Sequence, residues 1–344
     1  MIPYPEQFEA TFAAVTKERG IISAVTGSGK SLIIALIINE LQCRTLIVVP
    51  SLELKAQLST SLARWFGEDN IGRNKNIYVE NVQALDTRER LKYDVLIIDE
   101  FHHSASASYR KLNKYAWADI YYRFGLTATP WRSDAEEKLL LESILSEVIY
   151  TISYKQAVSR NMIAPVEAYY LEIPKQETDA YTWSEVYSSL VVNNEVRNQV
   201  IAQVLKTLEQ NNVFTLCLVK EVKHGQILAN LTGVPFVHGE DEESRDYIDL
   251  FNRGEVKTLI ATEGILGEGI DTKPCEYVII AGLGKAKSGF LQKVGRAVRN
   301  YPGKESAKVI LFKDKSHKYL IRHYNEQRKI MLEYYGVRVV ELKA

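Results

Sequence analysis

No apolar run in this chain is long enough to cross a bilayer, which excludes a helical membrane-spanning design. Neither sign of charge is in excess: 43 Lys and Arg stand against 43 Asp and Glu. No bulk positive field therefore draws the protein onto a polyanion, and any nucleic-acid track has to be local. The opening residues, MIPYPEQFEATF, lack the basic and apolar regions of a secretory leader. The chain is expected to stay where it is made. Cysteine is scarce, and Cys43, Cys217 and Cys275 lie far apart. Two of them sit within or beside apolar runs, which favours reduced core residues over a metal or redox role and points to a cytoplasmic protein. Internal repeats and low-complexity tracts are also missing, which sets aside solenoid and disordered architectures.

What is present reads as an ordinary folded protein of two domains: 344 residues, 46% of them hydrophobic and 25% charged. Short apolar runs rich in β-branched residues recur at RTLIVVP, DVLIIDE, VFTLCLV, KTLIATE, YVIIAG and AKVILF. Consecutive apolar positions are what a strand covered on both faces requires. Between them stand segments of helical period, SLELKAQLSTSLARWF, EVRNQVIAQVLKTLEQ and SRDYIDLFNRG, the last closing on Gly254. Strand alternating with helix predicts an α/β protein with doubly wound parallel sheets, and the series runs twice. Residues 1–150 make the first domain and 195–344 the second. Residues 151–194, where the alternation lapses around Pro165 and Pro174, make a hinge and the first elements of the second lobe. The tail predicts a helix ending at Gly336 and then a strand.

Three stretches carry chemistry. In IISAVTGSGKSLIIALIINE, glycines at 27 and 29 let the backbone N–H groups of Thr26 to Ser31 wrap an anion, and the helix that follows adds its dipole. Lys30 would reach the β- and γ-phosphates and the Ser31 hydroxyl would bind Mg²⁺. The strict G-x-x-x-x-G-K-S pattern wants glycine where this chain has Ala24. A glycine turn before an ordinary helix is the weaker reading, because a strand-like run precedes it and a long apolar helix follows. In VLIIDEFHH, Asp99 and Glu100 end a buried strand, at the edge where open α/β sheets bind ligands. Asp99 would hold the Mg²⁺, and Glu100 would orient and deprotonate the attacking water. His102 and His103 follow, but no H-E-x-x-H or Cys/His cluster supports zinc. In FLQKVGRAVRN, Gln292, Arg296 and Arg299 are spaced by four and three, so one helix face can hold all three. Guanidinium groups brought to a γ-phosphate stabilise transition-state charge; a basic surface face is the alternative.

TGSGKS, DEFHH, GLTATP, ATEGILGEGID and QKVGRAVRN, in that order, resemble motifs I, II, III, V and VI of the DExH-type superfamily 2 helicases. Within the family the finer likeness is to compact phage recombination and branch-migration helicases and restriction-enzyme motor subunits. The DEAD-box pattern of RNA-directed relatives would place other residues at Phe101 and His102. The resemblance implies two tandem RecA-like parallel-sheet domains with a nucleotide cleft between them. It implies that Gln7 reads adenine, that Gly269 and Asp271 face the nucleotide, and that His102, bridging toward Gln292, joins Thr127 and Thr129 in coupling the nucleotide site to the nucleic acid. Thr262, and Pro50 in a stretch resembling motif Ia, would lie on the nucleic-acid backbone. The expected activity is ATP-driven unwinding or remodelling of DNA by a monomeric motor with ATP and Mg²⁺ as cofactors. Single-stranded, forked or branched DNA is the expected partner, ahead of RNA and with no membrane role. An ATP-gated nucleic-acid binding module and an RNA helicase of the same superfamily are the alternatives.

Overall fold

The computed structural model describes residues 2–343 apart from 87–89, 105, 129–134, 240, 242, 268–274, 283–286, 298, 302, 338 and 339. For 53, 135–137, 266, 267, 287, 288, 292, 296, 297 and 343 it describes the backbone alone. The chain divides into two compact units, Met1–Arg160 and Asn161–Ala344.

The first unit runs α1 (Pro5–Lys17), β1 (Arg19–Ala24), α2 (Lys30–Leu41), β2 (Thr45–Val49), α3 (Leu52–Phe66), β3 (Ile77–Asn81), β4 (Val95–Asp99), α4 (Ala107–Lys114), β5 (Tyr122–Thr127), α5 (Ala135–Leu145), β6 (Val148–Ile152) and α6 (Tyr154–Ser159). Its strands lie in the order β3-β2-β4-β5-β1-β6, and every neighbouring pair is parallel. Every residue of β2 and β4 is buried, as the apolar runs 46–49 and 95–98 require. Ile21, Leu46, Val48, Leu96 and Ile98 pack with Tyr109, Leu112 and Trp117 in one core, while α2 buries Ile33, Ile34, Ile37 and Ile38. Each fully buried aliphatic side chain contributes about 1.5–3 kcal/mol.

Topology then places the chemistry. The chain leaves β1 for β2, which lies beyond β5 and β4, so β4, β5 and β1 are adjacent in the sheet. Register pairs Asp99 with Leu126 and Ser23 with Thr127, so these strands end level with one another. The glycine loop, the Asp99–Glu100 pair and Thr127 therefore share one sheet edge, at the carboxyl ends of the strands. Gly125 on β5 makes room beneath it: a Cβ there would lie 2.5 Å from Leu145 Cδ1 and 2.6 Å from Phe101 Cγ. Gly125→Ala is expected to lower stability by about 1–3 kcal/mol through overpacking, read as a drop in the denaturant midpoint; an unchanged midpoint would show that Phe101 yields freely.

The second unit runs β7 (Val166–Ile173), α7 (Trp183–Tyr187), α8 (Glu195–Gln210), β8 (Thr215–Val219), α9 (Val222–Thr232), β9 (Phe236–Val237), α10 (Ser244–Arg253), β10 (Thr258–Thr262), β11 (Tyr277–Ile280), α11 (Lys287–Ala297), β12 (Ala307–Asp314), α12 (Lys318–Tyr335) and β13 (Val340–Lys343). Its strand order is β13-β7-β12-β11-β8-β10-β9, again with parallel neighbours throughout. Gly254 and Gly336 end α10 and α12 at φ 78° and 66°, the left-handed conformation that glycine adopts without Cβ strain. The stretch 151–194 holds the end of β6, then α6, β7 and α7, and a π-helical turn at Ser188–Val192. In β7 the buried positions Val166, Ala168 and Tyr170 alternate with half-buried ones, and the strand pairs with β12 along its whole length. Arg197 is fully buried: its Nη2 donates to the Ala281 carbonyl at 3.1 Å and its guanidinium lies 4.7 Å from the Phe312 ring centroid. Cys217 and Cys275 are buried, and burial pushes the Cys217 thiol up to about 12. Among the described residues no helix is long and apolar enough to cross a membrane.

Candidate nucleotide site

The loop after β1 is held open by two left-handed glycines, Gly27 at φ 90° and Gly29 at φ 82°. Both need glycine; Ala24 does not, because it closes β1 as a paired, buried strand residue. The departure from the strict motif at Ala24 thus leaves the turn itself intact. Ser28 ties the loop down, its hydroxyl donating to the Val25 carbonyl at 2.7 Å, and Lys30 and Ser31 open α2.

Gln7 reaches this loop from α1. Its amide nitrogen donates to the Ser28 carbonyl at 2.8 Å while its Oε1 accepts the Tyr4 N–H at 2.9 Å. A Cβ on Gly29 would meet that amide nitrogen at 2.5 Å, so Gln7 and Gly29 fit only together.

Beyond β4 the backbone turns sharply. Glu100 sits at φ 48°, ψ 49°, a left-handed conformation that costs a residue with a Cβ about 1–2 kcal/mol. The Glu100 N–H donates to Asp99 Oδ1 at 2.9 Å. The turn aims the carboxylate at Lys30 and His102: Lys30 Nζ lies 3.5 Å from Oε1 and His102 Nδ1 lies 3.4 Å from Oε2. His102 is buried, and its Nδ1 is 3.0 Å from the hydroxyl of the equally buried Thr127 on β5. Lys30, Glu100, His102 and Thr127 therefore form one connected polar set.

The two carboxyls of this edge are tuned apart. Burial alone would raise Glu100, but the Lys30 ammonium, His102 and a hydrogen bond from Lys30 more than offset it and hold the group below the usual carboxylate range. Asp99 moves the other way, pushed up to about 6 by burial and by the neighbouring Glu100 carboxylate, against the pull of Lys30. A buried carboxyl in that condition is short of positive charge. With the Ser31 hydroxyl at the first turn of α2, it offers the hard oxygen donors that Mg²⁺ takes.

In the second unit, α11 ends at Ala297, so the single helix face expected to carry Gln292, Arg296 and Arg299 does not extend to Arg299. Arg299 instead forms an isolated antiparallel bridge with Ile163, and its carbonyl accepts the Lys304 ammonium at 3.2 Å. Asn300 donates to the Asn161 carbonyl at 2.7 Å, so Arg299 and Asn300 both engage the chain entering β7. The side chains of Gln292 and Arg296, and all of Thr129, Gly269 and Asp271, lie outside the described residues. So the expected His102–Gln292 link falls there too. Thr262 closes β10 as a buried residue, and Pro50 follows β2, half-buried.

Two residues inside the motifs, with no role legible in their type, meet in the second unit. Lys293 is buried on α11 and places its Nζ 2.5 Å from Glu263 Oε1, one residue past Thr262. The pair fastens α11 to the end of β10. Only its lysine, alone among the arginines of QKVGRAVRN, could have signalled it.

Two parallel-sheet α/β domains stand in tandem, the first bearing a phosphate loop beside an Asp-Glu pair, which is the RecA-like arrangement. Known families agree. Residues 2–132 match the family described as Type III restriction enzyme, res subunit, and residues 196–301 match the helicase conserved C-terminal domain. The chain is 23% identical to the DNA 3'-5' translocase XPB2 of Sulfurisphaera tokodaii, over 85% of this chain and 77% of that protein. It is 22% identical to the ATP-dependent DNA helicase uvsW of Enterobacteria phage T4, over 89% of this chain and 67% of that one. The crystal structure of the Pyrococcus furiosus Hef helicase domain shares the fold, with a TM-score of 0.64 at 14% identity, over 94% of this chain and 98% of that one. Of three further helicase relatives the chain spans only 60%, 49% and 53%. The chain thus carries both of these helicase-related domains and is similar to superfamily 2 helicases, phage and viral ones among them.

Proposed function

We propose that this chain is an ATP-driven DNA motor that couples hydrolysis to unwinding or remodelling of DNA, with forked or branched duplexes as substrates. The observation that carries the reading is the Glu100 carboxylate, held ionised between Lys30 and His102 by a strained backbone. Backbone N–H groups of Thr26 to Ser31 cradle the phosphates, Lys30 neutralises the β- and γ-oxygens, and Gln7 braces the loop beside the adenine. Glu100 takes the proton of the attacking water. Mg²⁺, held by Ser31 and Asp99, would neutralise phosphate charge when bound. Gln292, Arg296, Arg299, Gly269 and Asp271 of the second unit serve the same nucleotide. His102 reports the state of Glu100 to Thr127, and with Thr129 to the nucleic acid, whose backbone rests on Pro50 and Thr262.

The test is steady-state ATP turnover with no nucleic acid and with single-stranded, duplex and forked DNA and RNA. Stimulation by DNA is expected, strongest on forks. Turnover indifferent to every nucleic acid would refute the motor. Arg299→Ala is expected to slow turnover by about 10³-fold or more while leaving nucleotide-free DNA affinity within a few-fold of wild type. Equal losses of both would make Arg299 a track residue instead.

A further inference from the structure

With a net charge of zero, contact with a polyanion depends on where cations collect without acids among them. Helix α4 is such a place. No acidic residue stands between Glu100 and Asp119, whereas Arg110, Lys111 and Lys114 occupy that interval at helical spacing. All three are exposed, and none has an ion-pair partner among the described residues. Asp119 is engaged with Arg90 at 2.6 Å. The opposite face of α4 is fixed, because Tyr109 and Leu112 are buried in the core of the first unit. The cations therefore point outward in a settled orientation. With Ala107 and Tyr115 they line an open concavity of ≈ 390 Å³.

We propose that this face of α4 grips the phosphate backbone of a DNA duplex. The inference rests on the DNA-motor reading for the identity of the polyanion. From Arg110 to Lys114 the helix rises about 6 Å, close to two base-pair steps of about 3.4 Å each along the duplex axis. The site offers little for stacking an unpaired base. Its one ring, Tyr115, has the Lys114 ammonium 5.3 Å from its centroid. Guanidinium and ammonium groups over an open surface suit a backbone read for charge, not a base read for shape. The function of such a grip is to hold the duplex arm while the motor works at its junction.

The experiment compares wild type with R110Q/K111Q/K114Q, using fluorescence anisotropy on a blunt duplex and on a single strand of equal length across a salt series. Neutralisation should weaken duplex binding at least about tenfold at low salt and reduce the slope of log affinity against log salt by about two to three. Single-strand affinity, DNA-independent ATP turnover and the melting temperature should stay as in wild type. The charge-preserving R110K/K111R/K114R should keep both affinity and slope. Unchanged duplex affinity and slope in the glutamine variant, with the wild type binding DNA normally, would sink this proposal and leave the motor reading standing. An equal loss on the single strand overturns the duplex assignment. Displacement of duplex from wild type by polyglutamate, lost in the variant, would make the face a dock for an acidic protein. A wild type that binds no DNA brings down the motor reading together with this one.

Discussion

Lys30→Ala is expected to cut ATP turnover by at least about 10²–10³-fold, the scale of losing one preorganised charge at a reacting phosphate. Two physical losses combine. The ammonium no longer meets the β- and γ-oxygens, and Glu100 loses its cationic neighbour at 3.5 Å. Lys30 is the leading favourable influence that offsets burial at Glu100, so its removal lets the Glu100 carboxyl rise toward neutrality and weakens it as a base. Breaking a nearly buried pair also strands its partner, which costs stability of about 3–5 kcal/mol. A collapse of the fold and a loss of chemistry are separated by the double variant Lys30→Ala/Glu100→Gln, which removes the stranded charge. Its melting temperature should recover most of what the single variant loses, while turnover stays at background. Wild-type turnover in Lys30→Ala, measured by phosphate release, would show that the loop does not hold the phosphates being cleaved.

The sequence alone carried much of this site, for a reason that also marks its limits. β2, β4, β8, β10, β11 and β12 were legible because strands buried on both faces must be apolar at consecutive positions. β7 was harder to read, since Val166, Ala168 and Tyr170 alternate with Glu167 and Tyr169 and the run lies between prolines. The glycines of the phosphate loop announce their own backbone. Glu100 does not: glutamate carries no preference for the left-handed region, and only the packing of Phe101 against Gly125, with the pull of Lys30 and His102, holds it there. The end of α11 at Ala297 was equally hidden, because the Ile163 backbone that captures Arg299 lies more than a hundred residues earlier. The Glu263–Lys293 and Arg197–Ala281 contacts are of the same kind. Chemistry that resides in a residue type could be read along the chain; chemistry that resides in a distance could not.

Glu100→Gln is expected to lower hydrolysis by about 10²–10⁴-fold, the usual contribution of a positioned general base, while nucleotide affinity stays within a few-fold of wild type. The substitution is nearly isosteric and keeps a side chain of the same length at φ 48°, so the turn after β4 and its Asp99 hydrogen bond should survive. What disappears is the charge that accepts the water's proton. The phosphate contacts belong to the glycine loop and Lys30, which the substitution leaves in place. Lys30 itself, no longer paired with a carboxylate, is freer to meet the γ-phosphate, so affinity is expected to hold or rise slightly. A fluorescent ATP analogue measures binding, and single-turnover phosphate release measures the chemical step. Glu100→Gly supplies the control for strain. It relieves a left-handed conformation worth about 1–2 kcal/mol, yet also leaves Lys30 and His102 without their carboxylate, and it should be as inactive as the glutamine variant. If Glu100→Gln instead lost its grip on ATP and kept hydrolysing the little it bound, Glu100 would be a phosphate-site organiser and the base would have to be sought elsewhere.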